Sequence, residues 1–335
     1  MKTLIVTGAA GFIGCNFVRL ALSRGYRVVG FDALTYAGHR ENLEGVTGEF
    51  ELVVGDIRDA SAVKDLFAKY KPSAFLNFAA ESHVDRSIAE PLVFVETNVM
   101  GTANLLVHSV DYWKKNPDFR YLQVSTDEVY GALGETGKFS EKTPVNPHSP
   151  YSASKTGADH LVHAWQNTYG LPTITTRCSN NYGPFQYPEK LIPHLVNCAL
   201  AGKPLPVYGD GKNVRDWIHV EDHCAGILAA LEKGKTGETY CLGGNAERRN
   251  IDLVKQMCAE LDQLRPRKDG KSYGEQITFV KDRAGHDFRY AIDDSYAAKE
   301  IGFTRKHSFD SGLRSTIQWY LAHESWSAQV LKGKK

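Results

Sequence analysis

Short apolar runs, each followed by a segment long enough for a helix, recur through the first half of the chain. The runs carry aliphatic and β-branched residues without polar alternation, which is typical of parallel strands covered on both faces. Strands that alternate with helices form βαβ units, so the pattern predicts an α/β fold with a doubly wound parallel sheet. The predicted strands are 3–6, 27–31, 50–54, 74–78, 120–125 and 172–177. The helices predicted between them are 12–24, 60–70, about 92–113 and 152–169.

The residue pattern changes after Arg177. The next stretch, CSNNYGPFQYPEKLIP, is rich in asparagine, proline and aromatic residues, which favours a binding loop over a strand. Beyond it the pattern predicts one more sheet strand and several helices. We therefore expect a first domain over 1–178, to which about 216–243 returns, and a smaller, mixed α/β C-terminal domain over 179–335. The strand is predicted at 239–244, and the helices at 190–202, 222–233, 251–264, 293–301 and 309–323.

Charge and cysteine content narrow the class of protein. The 335 residues include 40 Lys and Arg against 39 Asp and Glu, and this balance argues against a nucleic-acid partner. The six cysteines are scattered without a Cys-x-x-Cys pair, so we expect reduced thiols in a cytoplasmic protein. No apolar run approaches the ~20 residues that a membrane helix needs, so no membrane partner is expected.

The segment TGAAGFIG places Gly8, Gly11 and Gly14 after the first predicted strand and at the start of a helix. Glycines in this context permit a tight turn and close approach of a pyrophosphate to the helix N-terminus. Asp32 ends the second strand, where a carboxylate accepts hydrogen bonds from a ribose hydroxyl and repels a 2′-phosphate. A glycine-rich turn without a ligand is the alternative. The strand–turn–helix context favours a dinucleotide, with NAD preferred over NADP.

Two further strand ends carry residues suited to the same ligand. Asp56 and Ile57 follow the third strand, where they can hold an adenine ring. Ala79 and Ala80 follow the fourth strand, and their small side chains let a cofactor lie against the backbone. Ligands of such sheets bind at the carboxyl ends of the strands, so these positions are expected to converge on one crevice.

The segment YSASK places Tyr151 and Lys155 four residues apart, on one face of a predicted helix. An ammonium group near a phenol lowers the pKa of the phenol by favouring the phenolate. Such a phenolate can take an alcohol proton while a hydride leaves the same carbon. An ordinary contact on a solvent-facing helix is the alternative, and the glycine segment upstream argues against it.

Together, these motifs and the alternating strands resemble the extended short-chain dehydrogenase/reductases that act on sugar nucleotides. The resemblance spans essentially the whole chain. Five segments are together similar to the dTDP-glucose 4,6-dehydratases: FAAESHVDRSI, STDEVYG, SPYSASK, SNNYGPFQYPEKLIP and VYGDGKNVRDWIHVEDH. The Asp127–Glu128 doublet is the specific signal, because related epimerases and decarboxylases usually show a Ser-Ser or Ser-Thr pair without it.

The resemblance implies a role for each residue around the doublet. Tyr151 takes the proton of the sugar 4-hydroxyl as hydride passes to NAD, and Thr126 holds the C4 oxygen. Glu128 then takes the C5 proton, and Asp127 protonates the departing C6 hydroxyl. One carboxyl group must start ionised and the other protonated, so their surroundings must differ. Adjacent acids point opposite ways on a regular strand, so the chain must bend at or before Asp127.

The resemblance also implies an NAD-binding first domain and a nucleotide-sugar-binding second domain. The expected substrate is dTDP-glucose; UDP-glucose or another sugar nucleotide, and a 4-epimerase reaction, remain alternatives. Expected cofactor-binding residues are Gly8, Gly11, Phe12, Ile13, Gly14, Asp32, Asp56, Ile57, Ala79, Ala80, Ser82, Thr97, Tyr151, Lys155 and Asn181. Expected substrate-binding residues are Ser82, His83, Thr126, Asn180, Glu189, Lys190, Leu191, Pro206, Tyr208, Arg215, Asn250, Asp282 and His286.

Three further expectations concern the second half of the chain and its assembly. Residues 281–290 resemble a segment that closes over the substrate, with Ala284 in place of the usual proline. By resemblance, helices near 97–113 and 152–169 pair two copies into a homodimer. His219 and His223 have the spacing of a helical metal pair, but no third ligand is evident nearby in the sequence, so no metal is expected.

Overall fold

The computed structural model describes residues 1–282 and 285–332, and a seven-stranded parallel sheet lies at its centre. The described strands are β1 (Thr3–Thr7), β2 (Arg27–Asp32), β3 (Phe50–Val54), β4 (Ala74–Asn77), β5 (Arg120–Thr126), β6 (Thr173–Cys178), β7 (Asn180–Tyr182), β8 (Leu205–Tyr208), β9 (Val214–His219), β10 (Thr239–Leu242), β11 (Glu247–Arg249) and β12 (Ile277–Val280). The central sheet has the order β10-β6-β5-β4-β1-β2-β3, and all of its pairings are parallel. The predicted doubly wound α/β fold is confirmed.

Helices cover both faces of this sheet and build the second half of the chain. The α-helices of the described residues are α1 (Phe12–Ser23), α2 (Ala60–Tyr70), α3 (Val84–Ala89), α4 (Pro91–Phe94), α5 (Thr102–Trp113), α6 (Pro150–Tyr169), α7 (Leu191–Leu200), α8 (Val220–Lys233), α9 (Asn250–Leu264), α10 (Ser295–Ile301), α11 (Phe309–Ala322) and α12 (Glu324–Lys332). A π-helical segment, Val95–Gly101, joins α4 to α5, so residues 91–113 run as one helical rod. Short 3₁₀ turns lie at Arg40–Leu43, Asp127–Tyr130 and Tyr273–Gln276.

Alternation along β1 separates the two cores of the sheet. Leu4 and Val6 pack on one face with α1 and α8, whereas Ile5 packs on the other face with α2, α5 and α6. The strand order reverses at β1, which lies between β2 and β4. That reversal opens a crevice at the carboxyl ends of the strands, where ligands of such sheets bind.

The second half of the chain forms its own core and also contributes to the central sheet. Strand β10 pairs with β6 at the sheet edge, and α8 packs against α1. The remaining elements carry a separate apolar cluster around α7, α9 and α11, beside the small sheets β11-β9-β7 and β12-β8. These contacts agree with the expectation that about residues 216–243 pack with the first domain. The division of the chain into two domains stays a prediction.

One local prediction was wrong. The segment after Cys178 was expected to be a loop, but Asn180–Tyr182 forms β7 and pairs in parallel with β9. Asparagine has a low strand propensity, and here pairing with a distant strand overrides it.

None of the described helices is both long and apolar enough to cross a membrane, and all six cysteines are unpaired.

Candidate active site

A cavity of about 430 Å³ lies along the carboxyl ends of the central strands. The predicted catalytic residues and all of the predicted cofactor residues line it together. The predicted residues that do so are Gly8, Gly11, Phe12, Ile13, Gly14, Asp32, Asp56, Ile57, Ala79, Ala80, Ser82, Thr97, Thr126, Asp127, Glu128, Tyr151, Lys155, Asn180, Asn181 and Lys190. The crevice expected from the strand order is therefore present, and both halves of the chain contribute to it.

Close backbone packing explains two of the three glycines between β1 and α1. A Cβ atom on Gly8, whose φ is +64°, would lie 2.8 Å from the nitrogen of Ala79 at the end of β4. A Cβ on Gly14 would lie 2.0 Å from the Gly8 carbonyl oxygen. Gly11 is the N-cap of α1, and among the described residues no side chain caps this helix. The turn thus brings bare backbone and an uncapped helix N-terminus to the cavity, which is the arrangement that binds a pyrophosphate.

Asp32 lies at the end of β2 with its carboxylate held in place. Its Oδ2 accepts a hydrogen bond from the Ala10 N–H at 2.9 Å, and its Oδ1 accepts one from the Leu34 N–H at 2.8 Å. Burial raises the pKa of Asp32, and these two N–H donors oppose the rise. Each carboxylate oxygen can accept a second hydrogen bond, so the group remains suited to ribose hydroxyls.

The Asp127–Glu128 doublet lies where β5 changes into a 3₁₀ turn. Thr126 is the last residue of β5 and the N-cap of the turn, and its Oγ1 accepts a hydrogen bond from the Glu128 N–H at 3.3 Å. Gly131, with φ at 80°, ends the turn. Both acids line the cavity, so the predicted bend at Asp127 is confirmed.

The two acids have different surroundings. Asp127 is 1% exposed, and its Oδ2 has no hydrogen-bond partner among the described residues. Burial raises the pKa of Asp127 well above its usual range, and the charges of Glu128 and Asp216 raise it further. Glu128 is only partly buried and makes its own contacts. This environment favours a protonated Asp127, as an acid catalyst requires.

Tyr151 and Lys155 lie in the first turns of α6. The helix begins with a capping box between Ser149 and Ser152, and this fixes the position of Tyr151. Burial raises the pKa of Tyr151, followed by the charge of Glu128, while a hydrogen bond with Thr126 opposes the rise. The phenol therefore lies beside the residue expected to hold the C4 oxygen.

Lys155 is buried, and its ammonium group contacts the backbone of β5. Its Nζ donates a hydrogen bond to the Val124 carbonyl at 2.8 Å, and burial lowers its own pKa. The expected lowering of the phenol pKa is outweighed here by burial and by the two acids at the end of β5. The charge of Asp159, one helical turn further along, supports the ammonium form of Lys155.

Several predicted substrate residues lie outside the cavity lining. They are His83, Glu189, Leu191, Pro206, Tyr208, Arg215, Asn250, Asp282 and His286. Within this set the rings of Tyr208 and His286 are 6.4 Å apart, and His286 Nδ1 lies 2.7 Å from Asp282 Oδ1. Arg215 is buried, and its charge acts on Asp127, which connects this group to the doublet. Ala284 lies outside the described residues.

Sequence reasoning missed a cluster over the cavity beside β2. Tyr36 lines the cavity, and the Arg86 guanidinium lies 3.6 Å from the centre of its ring. The Tyr36 hydroxyl donates to the Ser82 carbonyl, and its ring meets Tyr187 edge-on at 5.8 Å. Three separate segments supply these residues, so no contiguous motif marked the cluster in the sequence. The aromatic character of Tyr36 and Tyr187 was the only signal.

The spaced histidines do not converge. His223 is buried, and its Nδ1 pairs with Asn181 Oδ1 at 2.9 Å. The ring of His219 instead stacks on His307 at 3.9 Å, and donor atoms of His219, Glu221 and His307 lie within 4.8 Å of one another. Contacts of His307 with Asp222 at 3.2 Å and Glu221 at 3.5 Å account for its position. The sequence spacing had no means of revealing His307.

The doubly wound sheet, the glycine turn and a Tyr151–Lys155 pair facing one cavity define an extended short-chain dehydrogenase/reductase. Over residues 5–316 the chain matches the family model described as GDP-mannose 4,6 dehydratase. It is 57% identical to dTDP-glucose 4,6-dehydratase of Xanthomonas campestris pv. campestris, with 99% of this chain and 97% of that protein covered. It is 48% identical to dTDP-glucose 4,6-dehydratase 1 of Escherichia coli, with 98% and 96% covered. The chain belongs to the dTDP-glucose 4,6-dehydratase family.

Solved structures agree with this assignment. The crystal structure of DesIV, a dTDP-glucose 4,6-dehydratase from Streptomyces venezuelae with NAD and TYD bound, is 43% identical with a TM-score of 0.90. It covers 98% of this chain and all of its own. The UDP-glucose 4-epimerase of Thermotoga maritima, with UDP-glucose, is 26% identical with a TM-score of 0.86, and 96% and 99% of the chains are covered. The fold is thus shared with epimerases, and the site residues must distinguish the reactions.

Proposed function

We propose that the chain is an NAD-dependent hydro-lyase that converts dTDP-glucose into dTDP-4-keto-6-deoxyglucose and water. One observation carries the proposal: Asp127 and Glu128 line the same cavity as Tyr151, and burial, followed by the charges of Glu128 and Asp216, raises the pKa of Asp127 well above its usual range. Elimination of water needs both an acid and a base beyond the group that oxidises C4. An epimerase has no step that uses such a pair.

The residues of the glycine turn fit NAD. The Cβ positions of Gly8 and Gly14 are already filled by backbone, so the turn presents N–H groups without side chains. Asp32 and Asp56 lie at the adjacent strand ends, where they would hold the ribose hydroxyls and the adenine ring. Tyr151, Lys155 and Asn181 would lie against the nicotinamide end. When bound, the nicotinamide ring supplies a hydride acceptor for C4 and a hydride donor for C6.

The side chains of the chain move the protons. Tyr151 takes the proton of the 4-hydroxyl, while Thr126 holds the C4 oxygen. The resulting ketone acidifies the C5 proton, which Glu128 accepts. Asp127 gives its proton to the C6 hydroxyl, which leaves as water when the C5–C6 double bond forms. Glu128 then returns a proton to C5, so the overall reaction is redox-neutral and loses one water.

The remaining predicted substrate residues are assigned to the nucleotide. Arg215 and Lys190 carry positive charge suited to a pyrophosphate, and Tyr208 offers a 42% exposed ring for a pyrimidine. The ion pair of Asp282 with His286 lies beside Tyr208, in the segment expected to close over the substrate. Ser82, His83, Asn180, Glu189, Leu191, Pro206 and Asn250 complete the proposed set.

The test is turnover of dTDP-glucose in deuterium oxide, followed by mass spectrometry and proton NMR. The expected product carries a 4-ketone, a 6-methyl group and one deuterium at C5. A parallel panel of UDP-, CDP- and GDP-glucose identifies the nucleotide. Turnover of UDP-glucose alone would make the chain a different 4,6-dehydratase, and an inverted C4 without deuterium at C5 would make it a 4-epimerase.

Two variants separate the roles of the acids. We expect Asp127→Asn to oxidise C4 and eliminate water slowly, because the amide has no acidic proton. Glu128→Gln should lose C5 proton exchange most strongly. Single-turnover measurements of both steps distinguish these outcomes. Normal turnover by Asp127→Asn would remove this residue from the acid role.

We also propose that the protein is a homodimer that pairs through the helical rod 91–113 and α6. The rod exposes apolar side chains, with Leu92 at 73%, Met100 at 61% and Val107 at 48% exposure. Such a row costs solvation free energy unless a second surface covers it. Light scattering should give a dimer at micromolar concentration, and the double variant Leu92→Glu, Met100→Glu should give a monomer. A monomeric parent protein would contradict the proposal.

A cytoplasmic location is proposed from the unpaired cysteines, five of which are buried. Cell fractionation that placed the protein in an oxidising compartment would contradict it.

A further inference from the structure

A buried carboxylate that is not assigned a role in the reaction lies on β9. Asp216 is 1% exposed. Its Oδ2 accepts hydrogen bonds from Ser179 Oγ at 2.7 Å and from the Gly244 N–H at 3.1 Å. Its Oδ1 accepts one from the Ala246 N–H at 2.7 Å. All three partners are donors, so both oxygens of Asp216 act as acceptors, as the oxygens of a carboxylate do.

The strand register places this charge behind the wall that carries Asp127. Strands β5 and β6 pair with Thr126 opposite Cys178. Asp127 and Ser179 are the next residues on the two strands, and both line the cavity. Ser179 donates to Asp216, so the carboxylate lies one hydrogen bond behind a residue of the cavity lining.

Several groups act on Asp127 from the surrounding elements. Its own turn contributes Glu128, and β9 contributes Asp216 and Arg215. Tyr151 of α6, Cys178 of β6 and Cys241 of β10 also face it, and burial keeps all three of these groups neutral. Of the groups named here, the charged ones are the carboxylates of Glu128 and Asp216 and the guanidinium of Arg215.

Arg215 and Asp216 have opposite effects. Burial raises the pKa of Asp127 most, the carboxylates of Glu128 and Asp216 raise it further, and the guanidinium of Arg215 lowers it. Glu128 changes its charge during the reaction, when it takes the C5 proton. Asp216 faces three donors of the protein and does not line the cavity, so it has no contact with the substrate there and takes no proton from it. It is thus the constant anion that offsets Arg215.

We propose that Asp216 is a positioning residue whose fixed negative charge keeps Asp127 protonated until the C6 hydroxyl departs. The proposal deepens the function proposed above and rests on it. It also accounts for the Oδ2 atom of Asp127, which is buried without a hydrogen-bond partner among the described residues. Burying an ionised carboxylate oxygen without a hydrogen-bond partner costs solvation free energy. A protonated carboxyl group avoids this cost and holds the proton that the leaving hydroxyl needs.

The test compares the full-length NAD-bound parent with Asp216→Asn. Removal of the negative charge should lower the pKa of Asp127, so Asp127 loses its proton at a lower pH. The alkaline limb of the elimination rate should therefore move to lower pH, so that the variant is slower than the parent at any pH on the parent's alkaline limb. C4 oxidation in single turnover should move less. Ser179→Ala removes one hydrogen bond but keeps the charge, so its alkaline limb should stay at the parent pH.

A second measurement needs no substrate, and its first comparison uses only the parent and Asp127→Asn. The infrared band of a protonated carboxyl group, taken as the difference between the parent and Asp127→Asn, reports the protonation of Asp127 directly. We expect the band to persist at neutral pH in the parent and in Ser179→Ala, and to vanish at lower pH in Asp216→Asn. An ionised Asp127 in the neutral parent overturns the proposal.

The remaining outcomes separate the two proposals. A parent protein that turns over no sugar nucleotide contradicts the proposed function. A parent that turns over dTDP-glucose, beside a folded Asp216→Asn with an unchanged alkaline limb and an unchanged band, contradicts the role of Asp216 alone.

Discussion

The substitution Gly14→Ala tests the proposed cofactor turn most directly. A Cβ at this position would lie 2.0 Å from the Gly8 carbonyl oxygen, 2.8 Å from the Gly8 carbonyl carbon and 3.0 Å from Ala9 Cα. All three atoms belong to the backbone, so no side chain can rotate away. Gly14 is helical and has no positive φ, which makes the effect purely steric. The turn from Gly8 to Gly11 must move to admit the methyl group.

The size of the effect follows from this geometry. Forcing one extra carbon into a packed site costs about 1–3 kcal/mol, and here the displacement falls on the backbone that would bind the pyrophosphate. If NAD binding requires the original turn, affinity falls by the same free energy, which is roughly 5- to 150-fold. The free energy of unfolding without NAD should fall within the same range of about 1–3 kcal/mol.

Calorimetric titration with NAD and chemical denaturation without NAD measure the two effects. Gly134→Ala is the matched control, because no atom lies within 4 Å of the added Cβ and its φ is not positive. Gly11→Ala should give a smaller loss than Gly14→Ala, since its nearest contact is 3.2 Å. Equal NAD affinity and equal stability of Gly14→Ala and Gly134→Ala would refute the reasoning.

Three further substitutions test individual contacts. Tyr320→Phe should lower the free energy of unfolding by about 1–3 kcal/mol in chemical denaturation. The buried hydroxyl donates to the Gln186 carbonyl at 2.9 Å and to the Gly183 carbonyl at 3.2 Å, and phenylalanine leaves both carbonyls without this donor. An unchanged free energy of unfolding would contradict this prediction. Ser149→Ala removes the capping box of α6 and should cost about 1 kcal/mol by the same assay. Burial lowers the pKa of His223 from 6.5 to about 3, so the unfolded chain binds its proton first as the pH falls. The contribution of neutral His223 to the free energy of unfolding should therefore be fully present above pH 6.5 and decline towards pH 3 by at most about 1.4 kcal/mol per pH unit. His223→Gln should flatten this decline. An unchanged slope in the variant would count against the prediction.

Much of the fold follows from local patterns. Each strand of the central sheet and most helices lie within a few residues of their predicted positions. Apolar runs of this kind are stable only when covered on both faces, so their spacing is enough to indicate the architecture. The short helix α3, the terminal helix α12 and the short strands β7, β8, β11 and β12 were missed. These elements lack a strong period of their own, and contacts with distant segments stabilise them.

In the candidate site, too, contiguous motifs were predicted and contacts between distant segments were not. The glycines, the Tyr151–Lys155 spacing and the acidic doublet were readable because each motif is contiguous in the chain. The pairing of His307 with His219 and the cluster of Tyr36 with Arg86 were not, since separate segments supply the partners. The effect of Lys155 on Tyr151 was also mispredicted, because spacing on a helix carries no information about burial.

By itself, the sequence determined that two acids follow β5 and that a nucleotide-binding turn follows β1, because local spacing dictates both. Only the tertiary structure decided that the two acids differ. Burial and charge are properties of position in space, and the protonation of Asp127 depends on Glu128 beside it and on Asp216 from a distant strand. Two acids that are equivalent in the sequence thus have different surroundings in the folded protein, and the proposed roles of acid and base rest on that difference.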